Sequence, residues 1–257
     1  MGIVARILTG FLIAAATTPA GVSGAFLLLP VQVQVFNVPS PAVSATNLVY
    51  NVVSSPAGVL SYDRHGRMDW PLALSLISGT APAVVVGVSV RTTWLADPQR
   101  FGIVAALLLF ALGIRLVAEV LSQSRALPTR AELPPMWRRV AVGAVAGFVG
   151  GIYGLGGAAL IVPYLVSVER MPISRVAGAG LATTMATSVI GLVTFALAEV
   201  AGIGHADAPR WIDGIALGVG GLGGAIVGAR LQPRVPVPAL KIILGIAALA
   251  AGLRLLP

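Results

Sequence analysis

The chain contains no cysteine, a single lysine (Lys241), two histidines and few charges of any kind, with Asp, Glu, Lys and Arg making up 10% of its 257 residues. Without cysteine there can be no disulfide, no thiolate metal site and no thiol relay. His65 and His205 fall in connecting segments and lack metal-ligand spacing, so the sequence indicates no metal and no cofactor. A soluble domain carries about 25% charged residues. Here hydrophobic residues reach 57%, more apolar surface than a soluble core of this size could absorb. The chain reads as an integral membrane protein.

The run from Ile7 to Tyr62 holds 56 residues without Asp, Glu, Lys, Arg or His. One helical span takes roughly 20 residues, so this run enters the bilayer at least twice. Val140–Val168 and Val176–Ala198 are also free of charge. The net charge of +8 is almost all arginine, placed in short connections where it anchors to anionic head groups. It forms no stripe interleaved with aromatics, so no nucleic-acid partner is expected. The partners expected are the lipid bilayer and a small anion, with a homo-oligomer possible. The first 20 residues have the outline of a signal peptide, but Gly10-Phe11 has a counterpart in Gly147-Phe148, which favours a first membrane helix.

That counterpart belongs to a wider pattern. Gly21, Gly24, Pro30 and Pro39 match Gly154, Gly157, Pro163 and Pro172 at an offset of 133 residues, and Ala25, Leu27 and Val43 match Ala158, Leu160 and Val176. Near the ends of the halves, Gly113-Ile-Arg115-Leu116 answers Gly252-Leu-Arg254-Leu255, and Gly79…Gly87 resembles Gly220…Gly228. The expected fold is an all-α polytopic membrane protein of two homologous halves, residues 1–121 and 138–257, joined by a linker at 122–137. It has about eight transmembrane segments. The first of each half, near 5–36 and 138–168, is broken or re-entrant. Helices follow near 42–60, 71–90 and 101–120, then near 175–199, 211–229 and 238–256.

If each broken segment crosses once, each half has four spans and the halves run parallel. If each returns, or crosses twice, the parity is odd and the halves are inverted. Odd parity puts Arg64, Arg67, Arg125, Arg130, Arg138, Arg139, Arg170, Arg175, Arg230, Arg234 and Lys241 on one side, against Arg6, Arg91, Arg100, Arg210 and Arg254. Single crossing divides them almost evenly. The positive-inside rule favours the uneven division, and with it inverted halves. The charges expected within or near helices are Arg115, Glu119, Glu199, Asp213 and Arg254.

Irregular backbone survives at membrane depth only against protein or a water-filled cavity. Gly21-Val-Ser23-Gly24 and Gly154-Leu-Gly156-Gly157 are expected to interrupt helices and free N–H donors at the start of the next half-helix, where the helix dipole favours an anion. Close packing through small residues is the competing explanation for one such cluster, and is weaker for two in register. Gly154-Leu-Gly156-Gly157-Ala-Ala159 also fits a dinucleotide fingerprint, but the soluble strand–turn–helix and the later acid are missing. On the next helix Thr46, Asn47 and Asn51 offer neutral donors, with Asn47 and Asn51 one turn apart. The partners at the offset of 133 are Ala179, Gly180 and Thr184, with Thr183, Thr187 and Ser188 nearby. Such hydroxyls often bond back to their own helix. The expected substrate-binding residues are Gly21, Ser23, Gly24, Thr46, Asn47, Asn51, Gly154, Gly156, Gly157, Thr183 and Thr184, with none catalytic.

Gly150-Gly-Ile-Tyr-Gly-Leu-Gly-Gly-Ala-Ala-Leu-Ile-Val-Pro163 resembles the G-x-x-G-x-G-G-G-x-x-x-x-P signature of the sulfite exporter TauE/SafE family. Ala45-Thr46-Asn47-Leu48, Asn51, Pro56-Ala-Gly58, Asp69-Trp70 and Gly113-Ile-Arg-Leu116 extend the resemblance over nearly the whole chain. It departs at the degenerate first motif and at Ala179-Gly180, where the family often has Thr-Ser. The resemblance implies a multi-pass permease of the bacterial inner membrane that exports sulfite, sulfonates or related anions by alternating access at a midplane site. A non-transport membrane subunit and a membrane-embedded enzyme are the alternatives. The second lacks a visible nucleophile or acid–base pair, and no enzyme is expected.

Overall fold

A computed structural model describes residues 2–18, 24–40, 42–121, 132–204, 207–231 and 236–256. The described residues form eleven α-helices and no strands: α1 (Ile3–Thr17), α2 (Ala25–Gln34), α3 (Ala42–Ser54), α4 (Pro56–Arg64), α5 (Trp70–Thr92), α6 (Pro98–Leu121), α7 (Met136–Tyr153), α8 (Ala158–Ser167), α9 (Ile173–Val200), α10 (Trp211–Leu231) and α11 (Val237–Leu255). Five of them, α5, α6, α9, α10 and α11, are long and apolar enough to cross a bilayer. The protein is an all-helical, polytopic membrane protein.

Local chemistry sets the boundaries. The Asp69 carboxylate accepts the Leu72 N–H at 3.0 Å and caps α5. Prolines 135, 172 and 236 stand just ahead of α7, α9 and α11, where the lost N–H costs nothing. The helix expected near 42–60 is divided at Pro56 into α3 and α4. It still runs on as one kinked rod, because Ser55 N–H reaches Asn51 O (2.9 Å) and Val59 N–H reaches Ser55 O (3.1 Å). Its counterpart α9 is unbroken over 28 residues.

Glycines bring several pairs of helices into backbone contact, and those contacts fix the directions. A Cβ at Gly220 would stand 1.9 Å from Ile7 O, at Gly224 2.1 Å from Phe11 O, and at Gly228 2.8 Å from Ala15 O, so α1 and α10 run parallel. Leu76, Thr80 and Val84 meet Gly143, Gly147 and Gly151 in the same sense, so α5 parallels α7. Gly214 and Gly218 against Val49 and Val53 make α3 parallel to α10. By contrast Gly191, Gly58 and Gly178 meet Leu48, Leu181 and Tyr62, which sets α9 antiparallel to α3–α4. Gly102 against Leu255 and Gly113 against Gly245 set α11 antiparallel to α6.

Two consequences follow from these directions. Since α1 and α3 point the same way, the chain turns back between them, and α2 belongs to a re-entrant excursion rather than a single crossing. Helices α7, α9, α10 and α11 run opposite in direction to α1, α3–α4, α5 and α6, in that order. This is the odd-parity alternative, and the packing repeats it: α1 on α10 answers α7 on α5, and α3 on α10 answers α9 on α5. The face at which α1 and α3 begin is face A; the other is face B. Among the described residues these ion pairs each join residues of one face: Arg6 and Arg210 meet Asp213 on face A, while Asp69–Arg175, Arg138–Glu169 and Lys241–Glu119 lie on face B.

The core lies around α3. Every residue from Ala42 to Asn51 is buried, and α2 contributes Ala25 to Leu29 beside it.

Candidate functional site

The backbone break after α7 is built by left-handed glycines. Gly154, Gly156 and Gly157 have φ of 79°, 72° and 93°, a region that a side chain strongly disfavours. Gly154 N–H closes α7 onto Gly150 O at 2.7 Å. Beyond it, the Ala158 N–H donates to Thr184 Oγ1 at 3.1 Å, so a threonine of α9 caps α8 from outside. The N–H groups of Gly156 and Gly157 find no acceptor among the described residues, although both glycines are buried.

The walls of this break come from both halves. Asn51 Nδ2 donates to Gly154 O at 2.9 Å. A Cβ at Gly156 would stand 2.4 Å from Thr184 Cγ2, 3.0 Å from Ser188 Oγ and 3.1 Å from Asn51 Nδ2, which locates those three side chains around it. A Cβ at Gly157 would be 3.8 Å from Thr187 Oγ1. The hydroxyls of Thr187 and Ser188 are buried without a partner, an arrangement that costs free energy unless something else bonds them. Thr184 to Ser188 occupy the middle turns of α9, a helix long and apolar enough to cross a bilayer.

Asn47 and Asn51 divide their work. Asn47 Nδ2 donates to Ala25 O (3.0 Å) at the start of α2, and its Oδ1 accepts from Gln32 Nε2 (3.2 Å), whose own Oε1 is buried and unpartnered. Its Cβ side faces Gly154. The Tyr153 hydroxyl, ending α7, donates to Phe26 O at 3.4 Å. One asparagine thus serves α2 and the other serves the α7–α8 break, with α3 between them.

Of the residues expected at the site, the structure brings Asn47, Asn51, Gly154, Gly156, Gly157 and Thr184 together. Gly24 begins α2 with helical φ of −63°, its face toward Thr17 and the Tyr50 hydroxyl. Gly21 and Ser23 lie outside the described residues. Thr46 points elsewhere: its Oγ1 donates to Ala42 O (2.7 Å) and accepts the Arg210 N–H (3.0 Å) ahead of α10. Thr183 Oγ1 bonds back to Ala179 O at 2.8 Å. The unpartnered hydroxyls belong to Thr187 and Ser188, which sit one turn further along.

Residues 6–255 match the family described as Sulfite exporter TauE/SafE. The chain belongs to that family. It is 27% identical over 265 residues to the "Probable membrane transporter protein YjnA" of Bacillus subtilis (strain 168), covering 98% of this chain and 99% of that protein. It is 27% identical over 221 residues to the "Probable membrane transporter protein y4hK" of Sinorhizobium fredii (strain NBRC 101917 / NGR234), covering 84% and 83%. No solved structure matches. This TauE/SafE member is a membrane transporter, multi-pass and lipid-embedded, and its relatives are named as transporters rather than enzymes.

One charge in this TauE/SafE chain escaped the sequence reading. Arg91 was assigned to a connection at the interface, the default for an arginine ending an apolar run. The structure instead buries it completely in the last turn of α5, stacked on the Phe101 ring at 3.8 Å. The only sequence signal was Ser40 and Ser44 at one-turn spacing, able to hold a guanidinium.

Proposed function

We propose that this protein exports small oxyanions, sulfite and sulfonates first among them, from the bacterial cytoplasm across the inner membrane. It does so by alternating access at a site formed between two homologous, inverted halves. The observation that carries the reading is the α7–α8 break. Two buried glycine N–H groups and the hydroxyls of Thr187 and Ser188 converge there without protein acceptors, beside Asn51 from the other half. Neutral donors suit an anion that must bind and then leave, and the helix N-terminus adds its positive end.

The exporting direction agrees with the energetics. With the interior negative, expelling one elementary negative charge releases about 2.3 kcal/mol per 100 mV, so no coupling ion is required. Face B carries Arg64, Arg67, Arg115, Arg138, Arg139, Arg170, Arg175, Arg230 and Lys241, against Arg6, Arg91, Arg100, Arg210 and Arg254 on face A. By the positive-inside rule face B is cytoplasmic.

The test is flux in proteoliposomes with the potential clamped, across sulfite, taurine-like sulfonates, sulfate and an uncharged control. Potential-dependent movement of a sulfur oxyanion is expected. If none of the anions moves, the permease reading is wrong.

A further inference from the structure

Arg91 is 0% exposed and forms no ion pair among the described residues; the charge of Asp207, on the vestibule wall, reaches it only through space. The other deeply buried charges, Glu169 and Asp213, both face arginines. A buried cation without a counter-ion is expensive in a membrane protein and marks a functional position unless other groups compensate it. What holds Arg91 is neutral. Nε donates to Ser44 Oγ at 3.0 Å, and the two terminal nitrogens donate to Leu95 O and to Ser40 Oγ. The Phe101 face adds a quadrupole but no charge.

Its position is as telling as its solvation. On one side Ser40 is part of the wall of a vestibule of about 510 Å³ at face A, shared with Trp94, Asp97, Arg100 and Asp207. On the other, Ser44 Oγ passes the contact on, donating to Ile152 O (2.8 Å) in the last turn of α7 before the glycine break. The Phe101 ring that carries the guanidinium stands 6.3 Å from the Tyr153 ring at that same turn. Arg91 thus lies beside the vestibule and is linked through Ser44 and Phe101 to the turn of α7 that precedes the glycine break.

We propose that Arg91 is an anion-binding residue for the outer half of the path, and that a passing oxyanion supplies the ion pair that Asp207 does not make. The planar fork of a guanidinium matches two oxygens of a sulfite, sulfonate or similar group. The anion takes the donors that rest on Ser40 and Leu95 O when the path is empty. Asp97 and Asp207 on the vestibule wall repel the same anion, which favours release over retention. The second half has no equivalent, since alignment of Gly79 with Gly220 places Gln232 opposite Arg91. The identity of the cargo rests on the permease reading; the anion preference at Arg91 does not.

The absence of native cysteine makes the test direct. In the Ser40→Cys variant, the rates of modification by an anionic and by a cationic methanethiosulfonate reagent are compared. The anionic reagent is expected to react several-fold faster, with Arg91→Gln lowering the ratio by about tenfold or more and Arg91→Lys preserving most of it. Arg100→Gln, at an exposed vestibule position, should lower it less. With each rate normalised to that of a small free thiol, a ratio at or below one with Arg91 intact, or a ratio unmoved by Arg91→Gln, overturns the proposal. The first criterion needs no Arg91 variant, so it stands even if Arg91→Gln does not fold. A chain that shows the ratio but moves no sulfite loses its cargo assignment and keeps Arg91. One that moves sulfite without the ratio does the reverse.

Discussion

Thr187 and Ser188 separate a binding site from a packing defect. Their hydroxyls are buried and bond to nothing in the protein, so removing them forfeits no internal hydrogen bond. Thr187→Val with Ser188→Ala should leave thermal stability in detergent unchanged within about 0.5 kcal/mol, or raise it slightly. Anion flux in liposomes should fall at least tenfold, and wild-type flux in this variant would remove both residues from the path. Asn51→Ala should behave differently. It strips Gly154 O of its donor and should cost about 1–3 kcal/mol of stability, along with flux. At this scale the sequence was only partly legible. Thr46, Asn47 and Asn51 look equally able to line a site, yet Thr46 lies around the helix from Asn47 and meets α10 instead. A difference of about 100° in azimuth between adjacent helical residues is invisible until a neighbouring helix is placed. Thr183 and Thr187 show the same ambiguity one turn apart.

The glycine break is the element most plainly written in the sequence, because left-handed backbone at membrane depth leaves few residues to choose from. Gly156 tests it. A methyl there meets both the positive φ, worth about 1–2 kcal/mol, and Thr184 Cγ2 at 2.4 Å. Gly156→Ala should therefore lower the midpoint of thermal unfolding clearly. Adding Thr184→Ser, which removes Cγ2 yet keeps the oxygen that caps Ala158 N–H, should restore part of that loss but not the backbone part. No restoration in the double variant would mean that the neighbour is not Thr184. The same logic applies between helices. Gly220→Ala, aimed at Ile7 O from 1.9 Å, should destabilise the α1–α10 pair, whereas Gly223→Ala, 3.5 Å from the Phe11 ring, should be near neutral. The kink at Pro56 could not be ranked from sequence, since a proline in a long apolar run either bends a helix or ends it. Here the continued hydrogen bonds of Ser55 and Val59 decide for bending.

For the whole molecule, the helix directions agree with the odd-parity division that arginine counting favours, and orientation becomes measurable. His65 is exposed on face B and Gln99 on face A. In intact cells, a membrane-impermeant maleimide should label Gln99→Cys and spare His65→Cys until the membrane is opened. The reverse pattern would place face B outside and turn the proposed export into uptake. Charge at segment ends was legible as a tally but not one residue at a time. Arg91 looked like its surface neighbours because nothing local shows that Ser40, Ser44 and Phe101 would close over it.

The two halves also differ where they should match. Pro56 bends α3–α4, while Val189, its partner at the offset of 133, leaves α9 straight. In the proposed alternating-access cycle, opposed halves offer a site to each face by trading shapes, and that trade would be unequal, since one rod carries its bend in the covalent chain. The two facing states then differ in energy, and half-saturating concentrations measured from the two faces should differ with them. Detailed balance limits how far that asymmetry goes. Without a membrane potential, the ratio of maximal rate to half-saturating concentration must be the same from both faces, so a lopsided permease can hasten one direction at high load yet never choose where the gradient ends.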